Sequence, residues 1–86
     1  MRHLVRERER LAEVSRGGSH RNPIPVRSSA VVEVRAAQMI CPQCEATYNV
    51  HDHRAPGAGL RAVDVKCRLC GVARTLWFRL IEEAPN

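Results

Sequence analysis

Large aromatic side chains are scarce in this 86-residue chain, which contains only Tyr48, Trp77 and Phe78. A core with so few of them cannot easily offset the conformational entropy lost on folding, on the order of 1.5 kcal/mol per ordered residue. Small domains with this deficit depend on metals or disulfides for stability. We therefore expect a structural metal to stabilise this fold.

Long apolar segments are also missing. The longest apolar runs span only a few residues, which excludes a membrane-spanning helix. Residues 1–18 are charged throughout and contain no stretch that resembles a signal peptide. We therefore expect a reducing cytoplasmic location, where paired cysteines bind metal rather than form disulfides.

The residue patterns of common catalytic sites are missing as well. The sequence has no recognisable nucleophile–base pair, no paired carboxylates and no glycine-rich phosphate loop. His51 and His53 flank Asp52, but neighbouring histidines in a loop more often point to solvent than bind a metal. The sequence therefore predicts that the chain is not an enzyme and has no catalytic residue and no organic cofactor.

The chemistry of the chain is concentrated in its four cysteines. Cys41, Cys44, Cys67 and Cys70 form two C-x-x-C pairs that are separated by 22 residues. Each pair closes a tight turn, here called a knuckle, and two knuckles supply four thiolates to one tetrahedral site. We expect one structural Zn²⁺ per chain. Two disulfides, iron or a redox dithiol pair are the alternatives, although a redox pair would require a thioredoxin-like βαβ context that is absent.

The backbone of such a knuckle has its own requirement. The residue after the second cysteine often adopts a left-handed conformation, which suits glycine. Gly71 occupies this position in the second knuckle, whereas Glu45 occupies it in the first. The same geometry at Glu45 would cost up to about 1 kcal/mol.

In these motifs the chain resembles the small bacterial finger-like zinc ribbons. Their pattern is C-P-x-C, an aromatic residue, a valine, a Gly/Pro loop, V-x-C-x-x-C-G and a second aromatic residue. The corresponding residues here are Cys41-Pro42-Gln43-Cys44, Tyr48, Val50, Pro56-Gly57-Ala58-Gly59, Val65-Lys66-Cys67-Arg68-Leu69-Cys70-Gly71 and Trp77. The match covers about residues 39–78. It implies zinc-ribbon architecture and says little about activity.

Alternating and β-prone segments predict a mainly β fold around the knuckles. We expect a small metal-stabilised zinc ribbon, with two knuckles on a three-stranded antiparallel sheet. The predicted strands are residues 30–38, 47–50, 62–66 and 74–81, and residues 51–60 are predicted to form a loop. The strand over 30–38 could pair within the domain or with a second copy, so both monomer and homodimer stay open.

The remaining segments define the predicted domain organisation. Residues 1–29 form a basic arm, with a short helix over 4–15 and a flexible linker over 16–29, where glycines and prolines interrupt any periodicity. The zinc-ribbon domain spans residues 30–82, and residues 83–86 form a tail.

Charge is unevenly distributed along the chain. The formal net charge is +5, and residues 1–35 carry eight arginines against four acidic residues. Four thiolates remove four charges and Zn²⁺ returns two, which leaves about +3 on the metal-bound chain. Because residues 1–35 account for this positive charge, the zinc-binding half is close to neutral. A near-neutral domain favours a protein-binding, assembly or regulatory adaptor.

Nucleic-acid binding, in a role related to transcription, is the alternative function. The arginine-rich arm would neutralise phosphates, and Trp77 and Tyr48 would stack on bases. The further phosphate contacts would be Lys66, Arg68, Arg74 and Arg79. The simpler interpretation of the two aromatic residues is that both pack over the metal site as part of a small core.

Overall fold

A computed structural model describes residues 7, 10, 11 and 15–81 of the chain. Within these residues the protein is a small, mainly β domain with one four-stranded sheet and one short helix. None of its helical segments is long and apolar enough to cross a membrane. The tail predicted over residues 83–86 lies outside the described residues.

The sheet contains one more strand than the sequence predicts. Its order is β1 (Ile24–Val26), β4 (Ala73–Leu80), β3 (Leu60–Cys67) and β2 (Tyr48–Gly57). The pairs β2–β3 and β3–β4 are antiparallel, as expected, whereas β1 pairs with β4 in parallel. The prediction of a three-stranded antiparallel sheet is therefore wrong in strand number.

The linker predicted over residues 16–29 contains this additional strand. Gly17, with a φ of 84°, donates its N–H to the carbonyl of Asn22, closing a turn that directs the chain into β1. Side chains at positions 24 and 26 are buried, while Pro25 is exposed between them. Prolines in this segment argue against a strand. β1 nevertheless forms because it lies at the edge of the sheet, where proline is tolerated and no ladder hydrogen bond is lost.

The helix predicted over residues 4–15 lies largely outside the described residues. Glu7, Arg10 and Leu11 are helical, and the N–H of Ser15 donates to the carbonyl of Leu11 over 3.0 Å. These residues are consistent with the predicted helix, but they do not define its bounds.

Residues 30–38 form helix rather than the predicted strand. A 3₁₀ turn over Ser29–Val31, capped by the side chain of Ser28, leads into α1 (Val32–Gln38). Val32 and Ala36 are fully buried, and their spacing of four residues places them on one helix face. Val34 is 57% exposed. Val32 and Val34 alternate with charged residues, as in a strand. In the helix, however, only Val32 faces the core.

Residues 51–60 form most of a hairpin rather than the predicted loop. β2 continues to Gly57, and the chain reverses at Ala58 and Gly59, where φ is 73°. The β2–β3 register is interrupted between Val50 and Asp52 and again between Arg54 and Gly57. Pro56, Gly57 and Gly59 predicted a loop, but β2 is an exposed edge strand, and its bulges accommodate such residues.

The core lies between α1 and one face of the sheet. Helix α1 packs against β2 and β3, and full burial of a side chain such as Val32 contributes about 1.5–3 kcal/mol. The buried residues of this cluster are Ile24, Val26, Val32, Ala36, Cys41, Tyr48, Val63, Val65, Cys67, Leu76 and Phe78.

Candidate metal centre

The four cysteines lie together at one end of the sheet. The first knuckle connects α1 to β2, and the second connects β3 to β4. All four Sγ atoms lie within 4.8 Å of one another, and none forms a disulfide. The predicted site residues Cys41, Cys44, Cys67 and Cys70 thus form one cluster that could hold a metal ion.

The spacing of the sulfur atoms fits a tetrahedral site. The Sγ atoms of Cys41 and Cys70 are 3.8 Å apart, and those of Cys44 and Cys67 are 3.2 Å apart. A zinc–sulfur bond of about 2.3 Å requires an edge of about 3.8 Å in a regular tetrahedron of sulfurs. One distance across the two knuckles already has this length, and the other is shorter by about 0.6 Å.

The first knuckle is closed by its own backbone. The N–H of Cys41 donates to the carbonyl of Ala46 over 2.8 Å, and the N–H of Glu45 donates to the carbonyl of Cys41 over 2.8 Å. The N–H of Gln43 points at the Sγ of Cys41 over 3.4 Å. Such N–H groups stabilise a thiolate and orient it toward a metal.

The second knuckle repeats this pattern at equivalent positions. The N–H of Cys67 donates to the carbonyl of Val72, and the N–H of Gly71 donates to the carbonyl of Cys67. The N–H groups of Leu69 and Cys70 lie 3.4 and 3.5 Å from the Sγ of Cys67. The two knuckles are therefore two copies of one hydrogen-bonded turn.

The left-handed positions lie where the sequence predicts them. Gly71 has a φ of 78° and Glu45 a φ of 65°, and Glu45 is the only non-glycine residue with a positive φ in the described part of the chain. The closure of the first knuckle therefore holds a glutamate in a conformation that glycine adopts without penalty.

The two cysteines of each knuckle differ in how deeply they are buried. Cys41 and Cys67 are buried, Cys44 is half-buried and Cys70 is exposed. Tyr48 is 1% exposed and packs beside the cluster, with the guanidinium of Arg74 5.8 Å from its ring centre. Burial raises the pKa of Tyr48, partly offset by the charge of Arg74, so the phenol stays neutral at physiological pH.

The second knuckle influences the ionisation of its own thiols. Burial disfavours the thiolate of Cys67, but the N–H groups of Cys70 and Leu69 and the neighbouring thiols outweigh it and hold its pKa at about 6. The N–H of Val72 lowers the pKa of Cys70, but desolvation of its sulfur within the cluster and hydrogen bonds to the other three thiols outweigh it and raise that pKa to about 12. A metal-free cluster therefore keeps at least one proton at neutral pH, and full ionisation requires a bound cation.

Trp77 and Tyr48 do not share a face of the sheet. Tyr48 pairs with Cys67 and Trp77 pairs with Ala62, and positions 62 and 67 of β3 point to opposite faces. Tyr48 and Phe78 are buried in the core, whereas Trp77 is half-buried on the outer face, where the ring of His20 contacts it edge-on. The two-aromatic stacking platform is excluded, and the expectation that both pack over the metal site holds for Tyr48 alone.

The histidine cluster does not join the metal site. His51 is exposed, and the Nδ1 of His53 lies 3.1 Å from a carboxylate oxygen of Glu33 on α1. This contact links the helix to β2. Because residues 51–53 are predicted to be loop and residues 30–38 to be strand, no sequence pattern pairs His53 with the helix.

A polar cluster on the outer face of the sheet was also missed. Arg54 donates two hydrogen bonds to the carboxylate of Asp64, at 2.9 and 2.8 Å, and the hydroxyl of Thr75 donates a third at 2.8 Å. The bonds from Arg54 and Thr75 lower the pKa of Asp64. Only the β2–β3–β4 register brings these three residues together, so no local signal could have identified them.

No family model, curated protein or solved structure matches this chain.

Proposed function

We propose that the chain binds one structural Zn²⁺ through Cys41, Cys44, Cys67 and Cys70, and acts as a protein-binding or regulatory adaptor. The observation that carries this proposal is the convergence of the four Sγ atoms to within 4.8 Å of one another. Thiolates select soft or borderline metals, and a tetrahedral four-sulfur set is typical of zinc or iron. Zinc is favoured because structural four-cysteine sites on paired knuckles are characteristically zinc sites.

A binding role is favoured over catalysis because the protein would fill the coordination shell. Four thiolates leave no open position for water or a substrate, which a catalytic zinc requires. The proposed function accordingly has no catalytic residue. It agrees with the resemblance of residues 39–78 to the finger-like zinc ribbons, which we retain as a proposed relationship.

A protein partner is favoured by the apolar residues exposed near the knuckles. Ile40, immediately before Cys41, is 63% exposed, and Leu69, inside the second knuckle, is 74% exposed. Exposed apolar side chains beside a metal site offer surface that a protein partner can bury. The near-neutral charge of the zinc-binding half points in the same direction.

Nucleic-acid binding remains the second candidate because one aromatic residue and two cations share the outer sheet face. The β3–β4 register places Lys66, Trp77 and Arg79 on that face. A single half-buried tryptophan provides a smaller stacking surface than two aromatic residues on one face would.

A titration separates the two candidates. The zinc-bound protein is mixed with generic single-stranded DNA, duplex DNA and RNA at low and moderate salt. The adaptor proposal expects no measurable affinity at low salt. Binding that weakens steeply with salt, and falls further in Trp77→Ala, would support the nucleic-acid function instead.

A thiol-reagent experiment tests the non-catalytic role. With zinc bound, all four thiols are expected to be protected, and they are expected to react after chelation. Rapid reaction of one thiol with zinc still bound would indicate an active dithiol and contradict a purely structural site.

A further inference from the structure

The first half of β4 has an open edge. β1 pairs only with Phe78, Arg79 and Leu80, and the N–H of Trp77 is taken by the carbonyl of Gly17 over 2.8 Å. Among the described residues, none forms a strand beside residues 73–76 on that side. Strand β4 is therefore covered on one edge by β3 along its length and on the other only beyond position 76.

The open edge presents backbone groups that pair with no other strand of the described residues. The N–H of Trp77 points away from β3, and backbone groups in a strand alternate in direction, so those of Ala73 and Thr75 point the same way. No backbone group of the described residues hydrogen-bonds to these groups on that side. An added strand would therefore meet two N–H and two carbonyl groups that pair with no described backbone group.

A groove of about 400 Å³ runs along this edge. Arg16 and Gly18 line it from the segment before β1, Met39 and Ile40 from the segment that follows α1, and residues 73–77 from β4. The groove therefore combines a hydrogen-bonding edge with apolar surface that alternate side chains of an extended chain could cover.

The described lining of the groove carries charge of one sign. Arg16 and Arg74 are the charged residues among the described residues that line it, and none of those described residues is a carboxylate. An extended chain with acidic side chains would match this charge, whereas a basic one would be repelled.

We propose that an extended, acidic peptide segment of a protein partner binds in this groove as an additional strand beside β4. This inference rests on the proposed adaptor function and identifies where and how the partner is held. The peptide backbone pairs with Ala73 and Thr75, its apolar side chains cover Met39 and Ile40, and a carboxylate approaches Arg16. The hydrogen bond between Gly17 and Trp77 ends the added strand at Thr75.

The test begins with peptide selection on the zinc-bound protein. A phage-displayed library of random octapeptides is screened, and enriched peptides are measured by fluorescence anisotropy. We expect sequences that alternate apolar residues and contain at least one aspartate or glutamate. Selection that enriches no peptide, or only basic peptides, would overturn the proposal.

Thr75→Pro tests the backbone pairing. Proline removes the outward N–H of position 75 and leaves the hydrogen bonds to β3 intact. We expect affinity to fall on the order of tenfold, the equivalent of one lost hydrogen bond and a steric block. Thr75→Val is the matched control because it also loses the hydroxyl bond to Asp64 but keeps the N–H, and it should bind within about threefold of the parent.

Arg16→Glu tests the charge match. Affinity for the selected acidic peptides is expected to fall on the order of tenfold, as for loss of a charge-assisted contact. Arg21→Glu, the same charge change at an exposed position outside the groove, should leave affinity unchanged. Equal losses of affinity in the two variants would show that only the net charge of the protein matters, and would overturn the assigned site.

Other occupants give different results. Self-association that Thr75→Pro abolishes would identify a second copy of the chain, and displacement of the peptide by an oligonucleotide would identify a nucleic acid; either result overturns the peptide proposal. Zinc content is measured in every sample. Stoichiometric zinc without edge binding refutes only this inference, whereas protein that binds no zinc refutes the proposed function itself.

Discussion

The two knuckles have the same hydrogen-bond pattern but lie in different settings. The first joins a short helix to an edge strand, and the second joins two strands in the middle of the sheet. In both, the first cysteine donates its N–H five residues ahead, and the fifth residue of the knuckle is left-handed. That residue is Glu45 in one knuckle and Gly71 in the other, so the turn does not depend on glycine.

Both knuckles orient their cysteines in the same way. The first cysteine of each, Cys41 and Cys67, is buried in the core, and the second, Cys44 and Cys70, lies closer to the surface. The metal would therefore link the core to the outer turns at both positions. This equivalence can be tested by changing matching residues in the two knuckles.

Replacement of the outer cysteine should have the largest effect, and it should be equal in the two knuckles. Zinc binding contributes roughly 10–16 kcal/mol in small zinc modules, so Cys44→Ser and Cys70→Ser should both release the metal and unfold the β domain. Zinc content and amide chemical-shift dispersion measure this. Leu69→Ser, which places serine beside a ligand at an exposed site, should retain both; a Cys70→Ser protein that stays folded would show that the knuckles are not equivalent.

Acidification should weaken zinc binding through the second knuckle. The raised pKa of Cys70 means that zinc displaces its proton at neutral pH, so affinity should rise about tenfold per pH unit for each proton displaced. Below a pH of about 6 the proton on Cys67 must be displaced as well, so the dependence should steepen. Competition with a chromogenic chelator across this range measures the slope, and a pH-independent affinity would contradict the four-thiolate site.

Gly71→Ala should destabilise the second knuckle by about 1 kcal/mol, because alanine is strained at a φ of 78°. The added methyl group has room, since its nearest neighbour is the Cε of Lys66 at 3.9 Å. Denaturant unfolding at fixed free zinc gives the free energy of unfolding. Gly57→Ala, at a site with no positive φ and no atom within 4 Å, is the control, and equal losses in both would show that conformation at position 71 is not the cause.

Glu45→Gly should have the smallest effect, and its sign should be opposite. Relief of the left-handed strain exceeds the added entropy of the unfolded chain, so the free energy of unfolding should rise by about 0.5 kcal/mol. Glu45→Ala removes the charge but keeps the strain and should not stabilise. If alanine stabilises as much as glycine, the charge of Glu45 rather than its backbone is responsible.

The parts of the fold that could be predicted are those encoded by local residue chemistry. The spacing of Cys41, Cys44, Cys67 and Cys70 identified the cluster, and the requirement of the knuckle backbone identified the conformation of Glu45 and Gly71. The strands that became β3 and β4 were visible because alternation over residues 62–66 and bulky side chains over 74–81 agree with their burial.

The parts that could not be predicted depend on tertiary contacts. Residues 32–38 have both an alternating pattern and two apolar residues four apart, and only packing of Val32 and Ala36 against the sheet selects the helix. β1 is three residues long and contains a proline, so its pairing with β4 gives almost no local signal. The contacts of Arg54 with Asp64 likewise arise from strand register alone.

Native mass spectrometry of reduced, intact protein tests the metal centre most directly. The expected spectrum shows a single chain mass increased by one zinc ion less the two protons that its charge replaces, and a return to the metal-free mass when acid releases the ion. A metal-free mass under native conditions, or a loss of two or four hydrogens from disulfides before reduction, would contradict a four-thiolate zinc site.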